Sequence, residues 1–196
     1  MHNVEPNSEA PTVKIDLIEL AENGVPRMTR SWCATLAECA SLCLSLNGHR
    51  KETMLSLVGD FRRMVAIRPL NVSDVVTRTH NDLEVAAEMG AYGVAFLLIQ
   101  VLTPLTVIER ARKKTGFDYW LGDKDDELMQ RKARLEVSGL HKQSEQAFRR
   151  RIKIKIEQTK VSDSLNLPAW VIVVHFRHPK AHVEERKDST NEPTTS

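Results

Sequence analysis

The stretch Thr106–Gly139 constrains this chain most. Three short strand-like runs follow one another there: Thr-Val-Ile-Glu-Arg-Ala-Arg, Gly-Phe-Asp-Tyr-Trp-Leu-Gly and Lys-Ala-Arg-Leu-Glu-Val-Ser-Gly. The last two each carry one acid among apolar residues, Asp118 and Glu136. A carboxylate in a half-buried strand is costly unless it is paired or binds a metal. Two of them on adjacent strands point to a divalent-cation site. Mg²⁺ takes few carboxylates and leaves room for phosphate and water, which suits phosphodiester hydrolysis. The ordinary alternative is that Asp118 ends a strand or accepts a backbone N–H, and that Glu136 pairs with a cross-strand arginine, Arg110 or Arg134.

Bulk properties set few limits. The 196 residues suffice for one domain or one domain with an extension. A net charge of +2 gives no global argument for nucleic acid, so any such argument rests on local patches. Met1–Pro11 shows no basic segment followed by an apolar core. The apolar stretch within 86–102 is interrupted by Glu88, Gly90, Gly93 and Gln100, and reads as too short and too polar to span a membrane. A cytoplasmic protein is expected. Cys33, Cys39 and Cys43 lie in one helical segment and read as small buried thiols rather than a disulfide framework or metal ligands. His175, His178 and His182 read as solvated residues at the start of a tail.

Along the chain, 1–11 and 181–196 are polar and expected to be disordered. Val13–Leu20 reads as a strand, Met28–Leu46 as an amphipathic helix, and Thr53–Val58 and Arg63–Arg68 as a hairpin turning at Gly59-Asp60. After a short helix or loop over 71–79, Asn81 or Asp82 caps a helix running to about Val101, which Pro104 stops. Strands are expected near 105–112, 116–122 and 131–138, then a helix over 143–159 and a final strand over 170–176. That last strand is apolar on both faces, as a central strand covered by helices would be. Gly90 and Gly93 are expected to allow close helix–sheet packing, and Trp32, Trp120 and Trp170 to be core residues.

The order helix, three strands, helix, strand over 81–177 resembles the core of the PD-(D/E)XK nuclease superfamily, the fold of many restriction endonucleases. That family places an acid on the second strand, an acid-x-Lys on the third, and often a glutamate in the preceding helix. Gly116-Phe117-Asp118 matches the first acid, Leu135-Glu136-Val137-Ser138 the second, and Glu88 the helix glutamate. The segments Gly-Phe-Asp-Tyr-Trp-Leu and Leu-Glu-Val-Ser-Gly are also similar to those of uncharacterised bacterial proteins. The resemblance implies an α/β fold: a mixed β-sheet flanked by helices, with a restriction-endonuclease-like αβββαβ core at 81–180. The pattern of strands and helix before it, which the resemblance does not cover, reads as an N-terminal βαββ extension at 12–80. That extension either continues the sheet or forms a small lobe. The resemblance further implies Glu88, Asp118 and Glu136 as ligands of Mg²⁺ or Mn²⁺.

The chain departs from the family at one position. The family's lysine falls at Ser138, which is neutral and cannot stabilise charge on phosphate. Some members move this lysine elsewhere. Lys155 and Lys160 are the catalytic candidates here, with Gln158 beside them, and Arg134 shares the face of Glu136. Arg149, Arg150, Arg151, Lys153 and Lys155 form the one dense basic run, read as phosphate contacts or as a solvated helix face. The expectation is a metal-dependent nuclease acting on DNA ahead of RNA, with a role in bacterial defence implied by the resemblance alone. The alternative is an inactive nuclease-fold protein that binds nucleic acid or scaffolds a partner. A homodimer or protein partner would use the N-terminal extension.

Overall fold

The structure is a computed structural model that describes residues 13–187. One eight-stranded mixed sheet runs through it. Its strands are β1 (Lys14–Asp16), β2 (Thr53–Gly59), β3 (Met64–Arg68), β4 (Leu105–Arg110), β5 (Tyr119–Asp123), β6 (Ala133–Leu140), β7 (Ala169–His175) and β8 (Lys180–Arg186). Five helices accompany it: α1 (Leu17–Asn23), α2 (Arg30–Leu46), α3 (Asp74–Thr79), α4 (Leu83–Leu102) and α5 (Glu145–Thr159). A 3-10 helix over Lys160–Leu165 continues α5. The strand order is β1-β3-β2-β8-β7-β6-β5-β4. The chain is therefore α/β, and the N-terminal segment continues the sheet.

Side-chain alternation on β6 sorts the layers. Ala133, Leu135 and Val137 join the large core beneath α1, α2 and α4. Leu140, on the other face, packs with Val171, Val173 and Phe148 beneath α5. β7 lies in the middle, parallel to β6 and antiparallel to β8, and all its residues are buried. Its apolar run on both faces is accounted for by helices above and below it.

Helix ends follow their caps. Asp82 Oδ1 accepts from the N–H groups of Glu84 and Val85 at the start of α4, and Ser144 accepts from Ala147 at the start of α5. The Arg-Ile-Lys-Ile-Lys-Ile segment is helical. It turns Ile152 and Ile156 toward Phe148 under the sheet and leaves Ile154 exposed.

Several expectations need correction. Val13–Leu20 is not a single strand: Asp16 accepts from Ile18 N and caps α1, so the strand ends after three residues. The strand over 169–175 is not the last one. Residues 181–186, expected within a disordered tail, form β8 with Lys180 between β7 and β2; residues 1–11 and 188–196 lie outside the described residues. His175 and His182 are consequently buried. His175 bonds Gln143 O at 2.8 Å and His182 sits 3.0 Å from Glu184, so neither is a solvated tail residue. Helix α4 is long and apolar enough to cross a membrane, but it is mostly buried between α2 and the sheet as the core helix of this fold. Gly90 and Gly93 serve helix–helix packing instead: a Cβ on Gly90 would fall 2.7 Å from the Ala40 backbone of α2. Close helix–sheet approach belongs to Gly139, whose Cβ would collide with Ala87 O of α4.

Candidate active site

The site forms where β5 parts from β6. The two strands pair from Tyr119↔Leu135 to Leu121↔Ala133, while β6 continues to Leu140. Beyond the last pair, the Val137 N–H has no partner on β5. The Asp118 carboxylate fills the gap, and its Oδ2 accepts that N–H at 2.9 Å. The local backbone thus fixes Asp118 beside β6. Two residues past Arg134, Glu136 projects from the same strand toward α5, with no exposed surface.

From α5, Lys155 reaches down to the pair. Its Nζ lies 2.5 Å from Glu136 Oε1 and 3.3 Å from Gln158 Oε1. One helical turn earlier, Arg151 Nη1 donates to Ser138 Oγ at 2.9 Å. The face of β6 that bears Glu136 and Ser138 is therefore met by two cations from the helix above. Lys160 is not among them: it pairs with Glu157 at 2.7 Å and is half exposed.

Glu88 joins through an intermediary. The Tyr92 hydroxyl lies 3.2 Å from Glu88 Oε1 and 3.2 Å from Asp118 Oδ1. Among the described residues, no three His, Cys, Asp or Glu side chains are grouped closely enough to hold a metal ion by themselves. Asp118 and Glu136 are brought together, and Glu88 stands one tyrosine away. Tyr92 carried no chemical signal in the sequence. Only its spacing of four from Glu88, one helical turn, could have placed it beside that acid.

The electrostatics are those of a crowded, desolvated pair. Burial and the neighbouring Asp118 charge raise the Glu136 carboxyl from its ordinary 4.5 to about 8, although Lys155 opposes the shift. Burial also raises Asp118, against the Val137 N–H and Lys155. The two adjacent carboxyls therefore both hold protons more tightly than they would in water. Burial and the charges of Asp118 and Glu88 push the Tyr92 phenol upward, so it remains a donor. Glu136 Oε2 is buried without a hydrogen-bond partner. An orphaned anionic oxygen beside a second carboxylate has the donor chemistry a hard divalent cation takes, and Mg²⁺ commonly uses only one or two protein carboxylates.

The remaining candidates fall elsewhere. Arg134, fully buried, turns from Glu136 toward the 3-10 helix, where it donates to Leu167 O and Ser162 Oγ and pairs with Asp163 at 3.3 Å. Arg110 lies over the rings of Trp32 and Tyr119. Within the basic run, Arg150, Arg151 and Lys155 line a cleft on α5, whereas Arg149 pairs with Glu145 at 3.6 Å and Lys153 is exposed outside that cleft. Cys39 lies 3.4 Å from His80 Nδ1, and His80 Nε2 lies 2.9 Å from Glu38. The thiol has no exposed surface, and burial pushes it up to about 12, so it is a packing residue and not a nucleophile.

In comparisons with known proteins, no family model matches the chain, and no characterised protein or solved structure is detectably similar to it.

Proposed function

We propose that the unit from α4 to β7 is a restriction-endonuclease-like core, and that the protein is a divalent-metal-dependent nuclease. One observation carries this reading: Lys155 meets Glu136 from α5, next to Asp118, and so supplies a positive charge that Ser138 cannot. The strand order β7-β6-β5-β4 and the placement of the two acids on β6 and at the start of β5 support it.

Asp118 and Glu136 would hold Mg²⁺ or Mn²⁺, with Glu88 reached through Tyr92. When bound, the ion supplies Lewis-acid charge for a phosphodiester. The chain's own groups do the rest. Lys155 orients an attacking water and offsets charge developing on phosphate. Gln158 holds Lys155 in place. Tyr92 keeps the Asp118 carboxylate oriented while Val137 N–H anchors its other oxygen. DNA is the favoured substrate over RNA, and a role in bacterial defence follows only from the family resemblance.

A second reading is an inactive nuclease-fold protein that binds nucleic acid or a protein partner. It is favoured by the separation of Glu88 from the other acids, which leaves two carboxylates for a metal. Incubation with plasmid, single-stranded DNA and RNA, with and without Mn²⁺, separates the two. Metal-dependent cleavage that disappears in Lys155→Ala supports the nuclease. Full metal binding with no cleavage of any substrate supports the inactive protein.

A further inference from the structure

Three clefts surround the candidate site, and they differ in charge: Asp118 lines the first, Lys155 the second and Glu88 the third. The first, about 400 Å³, opens beneath the β4–β5 loop, with Arg110, Arg112, Lys113 and Lys114 on its rim and Asp118 and Gln158 on its inner wall. The second, about 410 Å³, runs along α5 past Arg150, Arg151, Lys155 and the same Gln158. The third, about 260 Å³, lies at the start of α4 among Asp82, Glu84 and Glu88. A polyanion is attracted to the first two and disfavoured in the third, where three carboxylates outnumber the one cation, Arg151. Gln158 lines both basic clefts, so they adjoin at that residue.

The loop is built rather than loose. Gly116 has φ +84°, and a Cβ there would fall 2.6 Å from Gln158 O, so the loop backbone is seated on the end of α5. Thr115 Oγ1 donates to Arg112 O at 2.8 Å, and Ala111 N–H donates to Asp118 O at 2.8 Å. These bonds hold the cations in place near the acid. Arg112, Lys113 and Lys114 are exposed, and none forms an ion pair among the described residues. Three neighbouring exposed cations with no ion-pair partner among the described residues attract an anionic ligand.

Resting on the nuclease reading above, we propose that residues 110–114 are a clamp for the phosphodiester backbone, and that a nucleic-acid strand crosses the carboxylates from this loop to the Arg150–Arg151 cleft. The clamp touches phosphates and not base edges, so it contributes affinity without sequence preference. It is separate in sequence from the basic run of α5 and adds a second set of cations, in the cleft that Asp118 lines.

Binding in EDTA tests the clamp without requiring cleavage. Fluorescent single- and double-stranded oligonucleotides are titrated with the full chain, followed by anisotropy at several salt concentrations. Arg112→Ala/Lys113→Ala/Lys114→Ala is compared with the parent and with Arg62→Ala at the β2–β3 turn, and Lys113→Gln/Lys114→Gln is a milder second variant. The slope of log K against log salt should fall by about 0.7–0.9 for each phosphate that is no longer neutralised, hence by about 2.1–2.7 in the triple variant. Arg62→Ala should match the parent. If the parent binds and both loop variants bind with its affinity and slope, the clamp is overturned while the nuclease reading stands. If the loop variants weaken binding but the parent cleaves no substrate with Mn²⁺, the clamp stands and the nuclease reading fails. A parent that binds no nucleic acid overturns both.

Discussion

Lys155 Nζ and Glu136 Oε1 lie 2.5 Å apart, joining α5 to β6 across the α5-side layer of the protein. The partners are unequal. Glu136 has no exposed surface, while the Lys155 side chain keeps 18% of its own. A buried carboxyl with a partly wet lysine above it leaves the lysine able to reach a phosphate entering from solvent. Arg151 on Ser138, one turn along the helix, places a second cation on the same side.

Replacing Lys155 by Ala should therefore lower any metal-dependent cleavage by about 10²- to 10³-fold, the usual cost of losing one group that stabilises transition-state charge. Lys160→Ala should leave the rate near that of the parent, because Lys160 pairs with Glu157 on the helix surface. Single-turnover cleavage of a labelled oligonucleotide distinguishes them. Equal losses in both variants would remove Lys155 from its assigned role.

Stability should depend on pH through the carboxyl pair. Glu136 rises from 4.5 unfolded to about 8 folded, so between those values the folded state holds more protons. Its contribution is fully present below pH 4.5 and is lost as pH rises through 8. Asp118 shifts in the same direction. Asp16, Glu145 and Asp163 shift downward and act in the acid range, and His141 shifts downward with the opposite sign below 6.5. The informative window is thus about pH 6.5–8, above the range of His141 and below the pH at which Glu136 is deprotonated in both states. In EDTA the parent should lose stability across it, and Glu136→Gln should flatten the loss. Urea midpoints measured at each pH give the comparison, and parallel curves would mean Glu136 titrates normally.

Much of the site could be read in the sequence because its parts are local. An acid among apolar strand residues is a visible anomaly, so Asp118 and Glu136 stood out. The position of Lys155 was readable as a choice of two, but not decided. A lysine on a helix shows its face only once the helix is docked, and Ile152, Ile156 and Phe148 set that docking. β8 was missed because Lys180–Arg186 carries charge at most positions and looks like a tail. Its strand character comes from pairing with β2 and β7 on either side, which a local pattern does not contain. The early end of β1 was hidden for the opposite reason: Asp16 acts as a helix cap, and the cap competes with continued strand.

Binding of Mn²⁺ should release a proton. Glu136 is raised to about 8, so a cation that takes its carboxylate near neutrality displaces a proton. Calorimetry in buffers of different ionisation enthalpy should give about one proton released per ion at pH 7, declining toward zero at pH above about 9. Glu136→Gln should lower both the affinity and the proton count. Metal binding with no proton release at pH 7 would place the ion elsewhere.

Arg134 should matter to stability and not directly to chemistry. It is fully buried and ties β6 to the 3-10 helix through Leu167 O, Thr159 O and Asp163, which also pairs with Arg186 of β8. Arg134→Met should cost about 3 kcal/mol, the low end of the range for breaking a buried pair, since Asp163 is 36% exposed and can be rehydrated. A urea melt measures this. A loss under about 1 kcal/mol would show that the 3-10 helix is held by its apolar contacts instead.

The basic run on α5 should divide by face. Arg150 and Arg151 line the cleft beside Lys155, whereas Arg149 is engaged with Glu145 on the outer surface. Replacing Arg150 and Arg151 together should weaken binding of nucleic acid and reduce the salt slope by about 1.4–1.8, the change expected when each arginine neutralises one phosphate. Arg149→Ala alone should change neither by much, because its charge is solvated and already paired. Anisotropy titrations across salt concentrations measure both quantities for each variant. Parent-like affinity and slope in the double variant would show the run to be a solvated helix face. The weight would then move from a nuclease toward a scaffold whose partner is another protein.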